Sequence, residues 1–579
     1  MASIRHHQTR IIFFSQKASV IASFVVSSLA FAAPQWRQIY NPTGHLWMSS
    51  LLAALPLLVL LVAIMVLRWK AHVAALLASG VCILIAIGLF HMPAGLGLLA
   101  AVFGAAYGIF PIFWIIFPVI FLYQLTVKAG SFSLLQGCLT GVTQDSRLQL
   151  LVVAFALGGF FEGAAGFGTP VAVCGTLLIG FGFSPLQAAA FALMANTAPV
   201  AFGGLGIPVV ALAGVTNFDL HSLTAMIATI LAPFCVLVPF WLILAFVGFA
   251  GMLEVWPAIA VAGVTFGVVQ LLVARLHGPW LVDIFASAVT IGALLVLFRF
   301  WQPARVLDAG GNDITGKLPD RVSPERSAIL RAILPWGILT LGLILWGAPP
   351  FGHFLDSFST FKIHVPGLDN AILRVPPAVV QPAAEPAVFT FNMLSATGTG
   401  IFISALVAAF AMGLPLSVTL KTLREVAYSV RFTFITIAAL MSIGFVSRFC
   451  GLDATLGLAF AATGAFYPLF GTFIGWIGTA STGSDTSSNV IFGSLQKLAA
   501  LQLGLSPLLM ASANSAGGVM AKMISPQNVV VATTATGSYG KEGTVIRFVL
   551  VPSLVLAALV GLVVTLLARY PAFANFVLR

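Results

Sequence analysis

The sequence predicts an all-α, polytopic membrane fold of about 12–14 spanning or re-entrant segments, arranged as two inverted repeats with broken helices at the bilayer midplane. Three observations predict it. Of 579 residues, 60% are hydrophobic and 7% charged, and the mean hydropathy of +1.07 excludes a soluble globular chain. Apolar stretches long enough to cross a bilayer follow one another almost end to end. A polar, glycine-rich module occurs once in each half of this otherwise nearly uncharged chain.

Residues 1–35 read as a signal-like segment or an extension. Arg5 and Arg10 give a basic start, 18–31 is apolar, and Ala30-Phe31-Ala32 offers an A-x-A cleavage site. An uncleaved extra helix or a misassigned start codon remain the alternatives. Residues 36–298 form the first transmembrane half. Its apolar runs at 46–67, 71–91, 111–127, 223–250, 256–274 and 280–298 each predict a span, and the first repeat covers about 110–215. Residues 299–330 form a polar linker. Residues 331–579 form the second half, with spans at 331–348, 388–414, 432–447 and 545–568 and a second repeat over about 430–537. These runs are too long and continuous for the alternating strands of a membrane barrel.

The formal charge of +11 does not point to nucleic acid, because the basic residues form no patch interleaved with aromatics. They sit at helix ends: Arg68 and Lys70, Lys128 and Arg147, Arg299 and Arg305, Arg424 and Arg431. The positive-inside bias therefore places 128–147, 299–331 and 415–431 in the cytoplasm and the Pro-rich 349–387 outside. Equivalent connections of the two repeats then fall on opposite sides, which predicts inverted topology. The five cysteines and nine histidines show neither disulfide nor metal spacing, so no cofactor or metal is expected.

The first module runs Gly166-Phe167-Gly168-Thr169-Pro170, then Gly182-Phe183-Ser184-Pro185-Leu186, Asn196-Thr197-Ala198 and Ile207-Pro208. The second runs Gly483-Ser484-Asp485-Thr486-Ser487, then Gly504-Leu505-Ser506-Pro507-Leu508, Asn514-Ser515-Ala516 and Ser525-Pro526. Paired helix-breaking segments in two hydrophobic halves point to a transporter's substrate site. Their small residues permit non-helical backbone at membrane depth where protein or a watery cavity surrounds it. Broken helices there would aim positive N-terminal ends at an anion. Taken singly, Gly163, Gly166, Gly517 and Gly518 read more simply as close-packing positions.

Glu162, Asp485 and Lys522 lie within or beside apolar sequence, away from the basic loops. A charge at the bilayer centre costs at least about 2.5–3.5 kcal/mol, so such a residue normally faces a cavity or a partner. In the repeat alignment they stand opposite Thr479, Gly168 and Gly204, so the charges break the symmetry of the two copies. Glu162 is a candidate proton carrier, since burial favours the neutral form of a carboxyl. Asp485 is a second proton candidate or the partner of Lys522. Lys522 is the candidate cation for an anionic substrate, with snorkelling to the interface as its structural alternative. Asn196, Thr197, Thr482, Ser484, Thr486, Asn514 and Ser515 supply uncharged hydrogen-bonding groups suited to a small hydroxylated anion. Lys497, beside Gln496, reads as interfacial.

Several of these motifs, in this order, resemble the L-lactate permease family. They are Glu162-Gly163-Ala164-Ala165-Gly166-Phe167-Gly168, Asn196-Thr197-Ala198-Pro199, Thr482-Gly483-Ser484-Asp485-Thr486-Ser487-Ser488-Asn489 and Lys522-Met523-Ile524-Ser525-Pro526-Gln527. Asn41-Pro42, Trp301-Gln302-Pro303 and Ser395-Ala396-Thr397-Gly398-Thr399 extend the resemblance from about Trp36 to the C-terminus. The resemblance implies a multi-pass transporter of the bacterial inner membrane that moves L-lactate, and often D-lactate or glycolate, together with a proton. It fixes no binding residues. Ser/Thr/Asn-rich broken helices also suit Na⁺, so a sodium-coupled carboxylate carrier is the alternative. An enzyme is not expected, because Ser484-Asp485 has no nearby helical His and no metal motif is present.

Overall fold

The computed structural model describes residues 35–65, 67, 69–134, 143–166, 168–315, 325–379, 381–538, 541–570, 573, 576 and 577. The signal-like segment therefore lies outside the described residues, apart from Gln35. The chain opens with strand β1 (Trp36–Arg37) and helices α1 (Leu46–Ala53), α2 (Leu55–Met65), α3 (Ala71–Gly88) and α4 (Ala94–Lys128). The first module follows as α5 (Ser146–Ala164), α6 (Thr169–Gly180), α7 (Pro185–Ala195) and α8 (Gly203–Thr216). Next come α9 (Leu220–Glu254), α10 (Trp256–Leu276), α11 (Val282–Phe300), α12 (Arg326–Gly347) and α13 (Pro349–Ser359). Strands β2 (Thr360–His364), β3 (Ile372–Arg374), β4 (Ala383–Ala384) and β5 (Val388–Asn392) interrupt the helices, before α14 (Thr397–Ala411), α15 (Leu416–Ser429) and α16 (Arg431–Cys450). The second module is α17 (Leu452–Ala461), α18 (Tyr467–Thr482), α19 (Asp485–Gln502), α20 (Pro507–Ala521) and α21 (Pro526–Ala535), closed by α22 (Glu542–Arg569).

Among the described residues, 9 helices are long and apolar enough to cross a membrane, or 11 if each of two sharply bent pairs is one span. With the shorter apolar helices at Leu46–Leu60, Thr169–Gly180 and Thr397–Ala411 included, the described residues reach the expected total of about 12–14 spanning or re-entrant segments. Two expected boundaries move. The run expected at 111–127 is the lower part of α4, which starts at Ala94 and is interrupted at Gly108–Phe113. There Pro111 lacks a backbone donor and Phe110 before it is extended (φ −137°, ψ 122°), as a pre-proline residue prefers. The run expected at 388–414 divides into β5 and α14, because Val388–Asn392 pairs antiparallel with Thr360–His364 instead of extending the helix.

The strands form a small cap, not a barrel: β1 pairs parallel with β3, and β3 antiparallel with β4. Gln38, just after β1, donates through Nε2 to the carbonyls of Arg448 and Phe449, so the cap sits over the end of α16. Gln502, the last residue of α19, donates to Pro377 O in the same cap. The far end of the bundle carries the basic connections. There Lys128 pairs with Glu425 at 2.5 Å, and Arg147 at the base of α5 meets Glu254 at the end of α9. Thus the base of the first helix pair, α5–α6, lies at the basic end, and the base of the second, α18–α19, lies at the cap end.

Sequence alone reads Arg147 as a loop charge, but it is fully buried. Its guanidinium spans Asp145 (Nε–Oδ1 3.1 Å, Nη2–Oδ2 2.7 Å), Glu254 (2.8 Å) and the carbonyls of Gly251 and Arg305. Arg305 also pairs with Glu254, so one network ties α5, α9 and the linker. Removing one partner of a buried pair leaves an uncompensated charge, which costs about 3–5 kcal/mol. Arg147→Ala is therefore expected to lower the thermal unfolding midpoint of the detergent-purified protein strongly. An unchanged midpoint would mean that the network does not hold the base of α5.

Candidate functional site

Each module folds as two helices joined at a tip, followed by a helix with a break. In the first, α5 ends at Ala164 and α6 begins at Thr169, with Gly166 at φ +60° packed against the Gly204 backbone. In the second, α18 ends at Thr482, Gly483 turns at φ +76°, and the Ser484 hydroxyl caps α19 by accepting from Ser487 N–H. The Ser-Pro signals do the same work in both copies. Ser184 and Ser506 cap α7 and α20, with Pro185 and Pro507 in the first turn.

The breaks lie at the same depth as the tips. After α7 the chain makes a short 3-10 turn, Val200–Phe202, and Gly204, Leu205 and Gly206 all have positive φ, so regular helix resumes at Ile207-Pro208. After α20 the turn Lys522–Ile524 and Ser525 precede Pro526 at the start of α21. Helix starts at Ile207, Asp485 and Pro526 thus leave backbone donors near one point. A cavity of about 270 Å³ occupies that point, lined by Glu162, Gly203, Asp485, Thr486, Lys522 and Gln527 among others. It continues along α16 from Met441 to Phe432 and reaches His72 at the start of α3.

Six of the ten residues singled out in the sequence line this cavity: Glu162, Thr482, Ser484, Asp485, Thr486 and Lys522. Glu162, 3% exposed, sits two residues before the end of α5 with its carboxyl against Gly203, and its Oε2 has no hydrogen-bond partner among the described residues. Lys522 lies on the second break and donates from Nζ to Gly483 O at 3.3 Å. The alternative of Asp485 as its ion-pair partner is not realised. Asp485 instead accepts from Ser515 Oγ (2.6 Å), Asn489 Nδ2 (3.2 Å) and Thr479 Oγ1 (3.4 Å), and Lys522 forms no ion pair among the described residues. Snorkelling of Lys522 is also not seen, since the residue is buried. The Thr482 hydroxyl is spent on Gly478 O (2.8 Å), whereas Thr486 offers its hydroxyl to the cavity with no protein partner among the described residues.

The other four stand off the cavity wall. Asn514 bridges Asn489 Oδ1 (3.0 Å) and Gln496 Nε2 (3.3 Å), and Ser515 holds Asp485, so both brace α19 against α20. Asn196 and Thr197 are buried at the first break with polar atoms that find no partner among the described residues, Asn196 as a neighbour of Glu162. The glycines read as packing positions do pack. A Cβ on Gly517 would meet the Thr472 backbone, and one on Gly163 would lie 2.6 Å from Asp283 Cβ.

Asp283 was not legible as an inward acid. It is the second residue of α11 and follows His277-Gly278-Pro279-Trp280, which looks like an interfacial turn. In the fold it is 1% exposed behind Glu162, and neither carboxyl oxygen has a hydrogen-bond partner among the described residues. Gln527, Thr433 and Thr436 were also missed on the cavity wall. No cluster of His, Cys, Asp and Glu suited to a metal exists among the described residues.

Comparison with known proteins adds a second line of observation. The sequence profile of a family described as L-lactate permease matches residues 49–570. The glycolate permease GlcA of Escherichia coli K12 is 41% identical, over 92% of this chain and 98% of its own. The L-lactate permease of the same organism is 39% identical over 92% and 98%. That of Bacillus subtilis 168 is 38% identical over 91% and 98%. Among solved structures, Neisseria gonorrhoeae MtrF aligns with 90% of this chain and 95% of its own at 15% identity and a TM-score of 0.42.

Proposed function

The chain belongs to the L-lactate permease family, a family of transporters, and from that premise we propose that it takes up L-lactate, D-lactate or glycolate together with a proton across the bacterial inner membrane. The observation that carries this reading is the central cavity, where one ammonium and three helix starts face an anion-sized space between two helix tips. Lys522 and the free backbone donors hold the carboxylate, and Thr486 and Gln527 bond the 2-hydroxyl. Glu162 or Asp485 carries the proton. Moving an anion against the membrane potential costs about 2.3 kcal/mol per charge per 100 mV. One co-transported proton cancels that charge, so accumulation follows the pH gradient.

Two halves of inverted topology, 36–298 and 331–579 joined by a cytoplasmic linker at 299–330, supply the alternating access. The opposite ends from which α5–α6 and α18–α19 enter the bundle support this. So does the asymmetry of the cavity. It extends toward the basic end, while toward the cap Leu212 packs on Gly493 and Val490 on Gly444. Counterflow tests the reading. Proteoliposomes loaded with unlabelled L-lactate are expected to accumulate external labelled lactate in a transient overshoot. Monodisperse, folded protein that gives no overshoot with lactate or glycolate would contradict a carrier for these acids.

A further inference from the structure

A second cavity, about 280 Å³, lies beneath the strand cap and has no part in the site described above. Its wall brings together Arg374 from β3, Glu385 beyond β4, Arg448 from α16, Asp453 from α17 and Lys497 from α19. Three cations face two carboxyls. Arg448 Nε donates to Glu385 Oε1, and Arg374 Nε lies 2.7 Å from Glu385 Oε2 as an ion pair without hydrogen-bond geometry; the terminal nitrogens of both guanidinium groups make no protein hydrogen bonds among the described residues. Asp453 is 4% exposed; Oδ1 accepts from Ala454 N–H at 2.7 Å, and Oδ2 has no partner among the described residues. Lys497, read from sequence as interfacial, turns inward. Its Nζ donates to Thr216 O at 2.6 Å and sits 4.5 Å from the Phe218 ring centroid.

The two cavities share a helix pair. Helices α8 and α19 run side by side, with Asn489 bonded to Pro208 O beside the central cavity and Ser494 and Lys497 bonded to Val215 O and Thr216 O beside the second. Eight residues separate Asn489 from Lys497, roughly 12 Å of helix. Between them the Leu212–Gly493 contact closes the way.

We infer that this second cavity is a vestibule that binds a short 2-hydroxycarboxylate on its way to or from the central site. The free guanidinium nitrogens and Lys497 take the carboxylate, as paired cationic donors do. Asp453 Oδ2 accepts the hydrogen of the 2-hydroxyl, which gives the site a reason to prefer a hydroxy acid over the same acid without the hydroxyl. The inference rests on the proposed transport of such acids.

The test is equilibrium binding of labelled L-lactate to purified full-length protein carrying Lys522→Met, which removes the cation of the central cavity. This variant is expected to retain saturable binding, with propionate competing roughly tenfold less well than lactate or worse. Adding Asp453→Asn, which keeps the side-chain size and the bond from Ala454, is expected to weaken lactate binding by roughly tenfold and to erase the preference over propionate. Lys497→Met on the same background weakens both acids alike, and size-exclusion elution reports folding of each variant. Loss of all binding with Lys522→Met alone, or lactate binding indifferent to Asp453→Asn, overturns the vestibule. If wild-type counterflow persists in either case, the transport reading stands without it. Wild-type protein showing neither counterflow nor binding removes the transport reading as well.

Discussion

Lys522→Met is expected to reduce lactate uptake below detection. The lysine is the one ammonium on the central cavity wall among the described residues, and it is positioned by the second helix break rather than by a carboxylate partner. An ammonium already neutralised by an ion pair would be free to change at little cost to an anion. Among the described residues Lys522 instead donates only to the Gly483 carbonyl, so its charge is available to a ligand. Truncating one partner of a buried charge pair costs about 2–5 kcal/mol, roughly a thirtyfold to several-thousandfold loss. Methionine keeps an unbranched side chain only one atom shorter and introduces no buried charge, so the break itself should survive. The measurement is the initial rate of labelled lactate uptake against concentration, with folding checked by the thermal midpoint. Wild-type rates in the variant would remove Lys522 from the substrate site.

Glu162→Gln is expected to separate coupling from exchange. With one proton per lactate, a gradient of one pH unit, acidic outside, is worth about 1.36 kcal/mol and drives about tenfold accumulation. The variant should bring lactate only to equal concentrations inside and outside, while still exchanging internal for external lactate. The physical reason is placement. The carboxyl of Glu162 lies against Gly203 at the first break, on the cavity wall, with one oxygen free of protein hydrogen bonds among the described residues. Glutamine fills the same space but does not release a proton. Asp485, by contrast, is committed to Ser515, Asn489 and Thr479, so Asp485→Asn should also loosen α19 from α20 and lower the thermal midpoint. Full accumulation in Glu162→Gln would take Glu162 out of the proton path.

The helical membrane class follows from composition and run length, and both are properties of the chain itself. The paired tips and breaks are legible too, because Gly, Ser-Pro and Asn-rich stretches change local backbone preferences wherever they fall. Boundaries at α4 and α14 are not, since an apolar run such as 388–396 suits strand or helix and only its pairing with β2 decides. Side-chain direction is the larger gap. Asn514 and Glu162 look alike in sequence as polar residues in apolar helices, yet one braces α20 and the other lines the cavity. Charges near helix ends mislead in the opposite sense. Arg147 and Lys497 read as loop or interface residues, and the fold turns both inward through partners distant in sequence. Arg448 and Asp453 meet Arg374 and Glu385 only because the cap folds back over α16, a contact no local pattern encodes.

Uptake of labelled L-lactate into proteoliposomes under an imposed inward proton gradient, with and without sodium, tests the central claim most directly. Proton-coupled carriage predicts accumulation that collapses with a protonophore and is the same in either salt. Accumulation that requires sodium and ignores the protonophore would contradict it, and would shift the coupling ion to the oxygen-rich tips around Ser484 and Thr486.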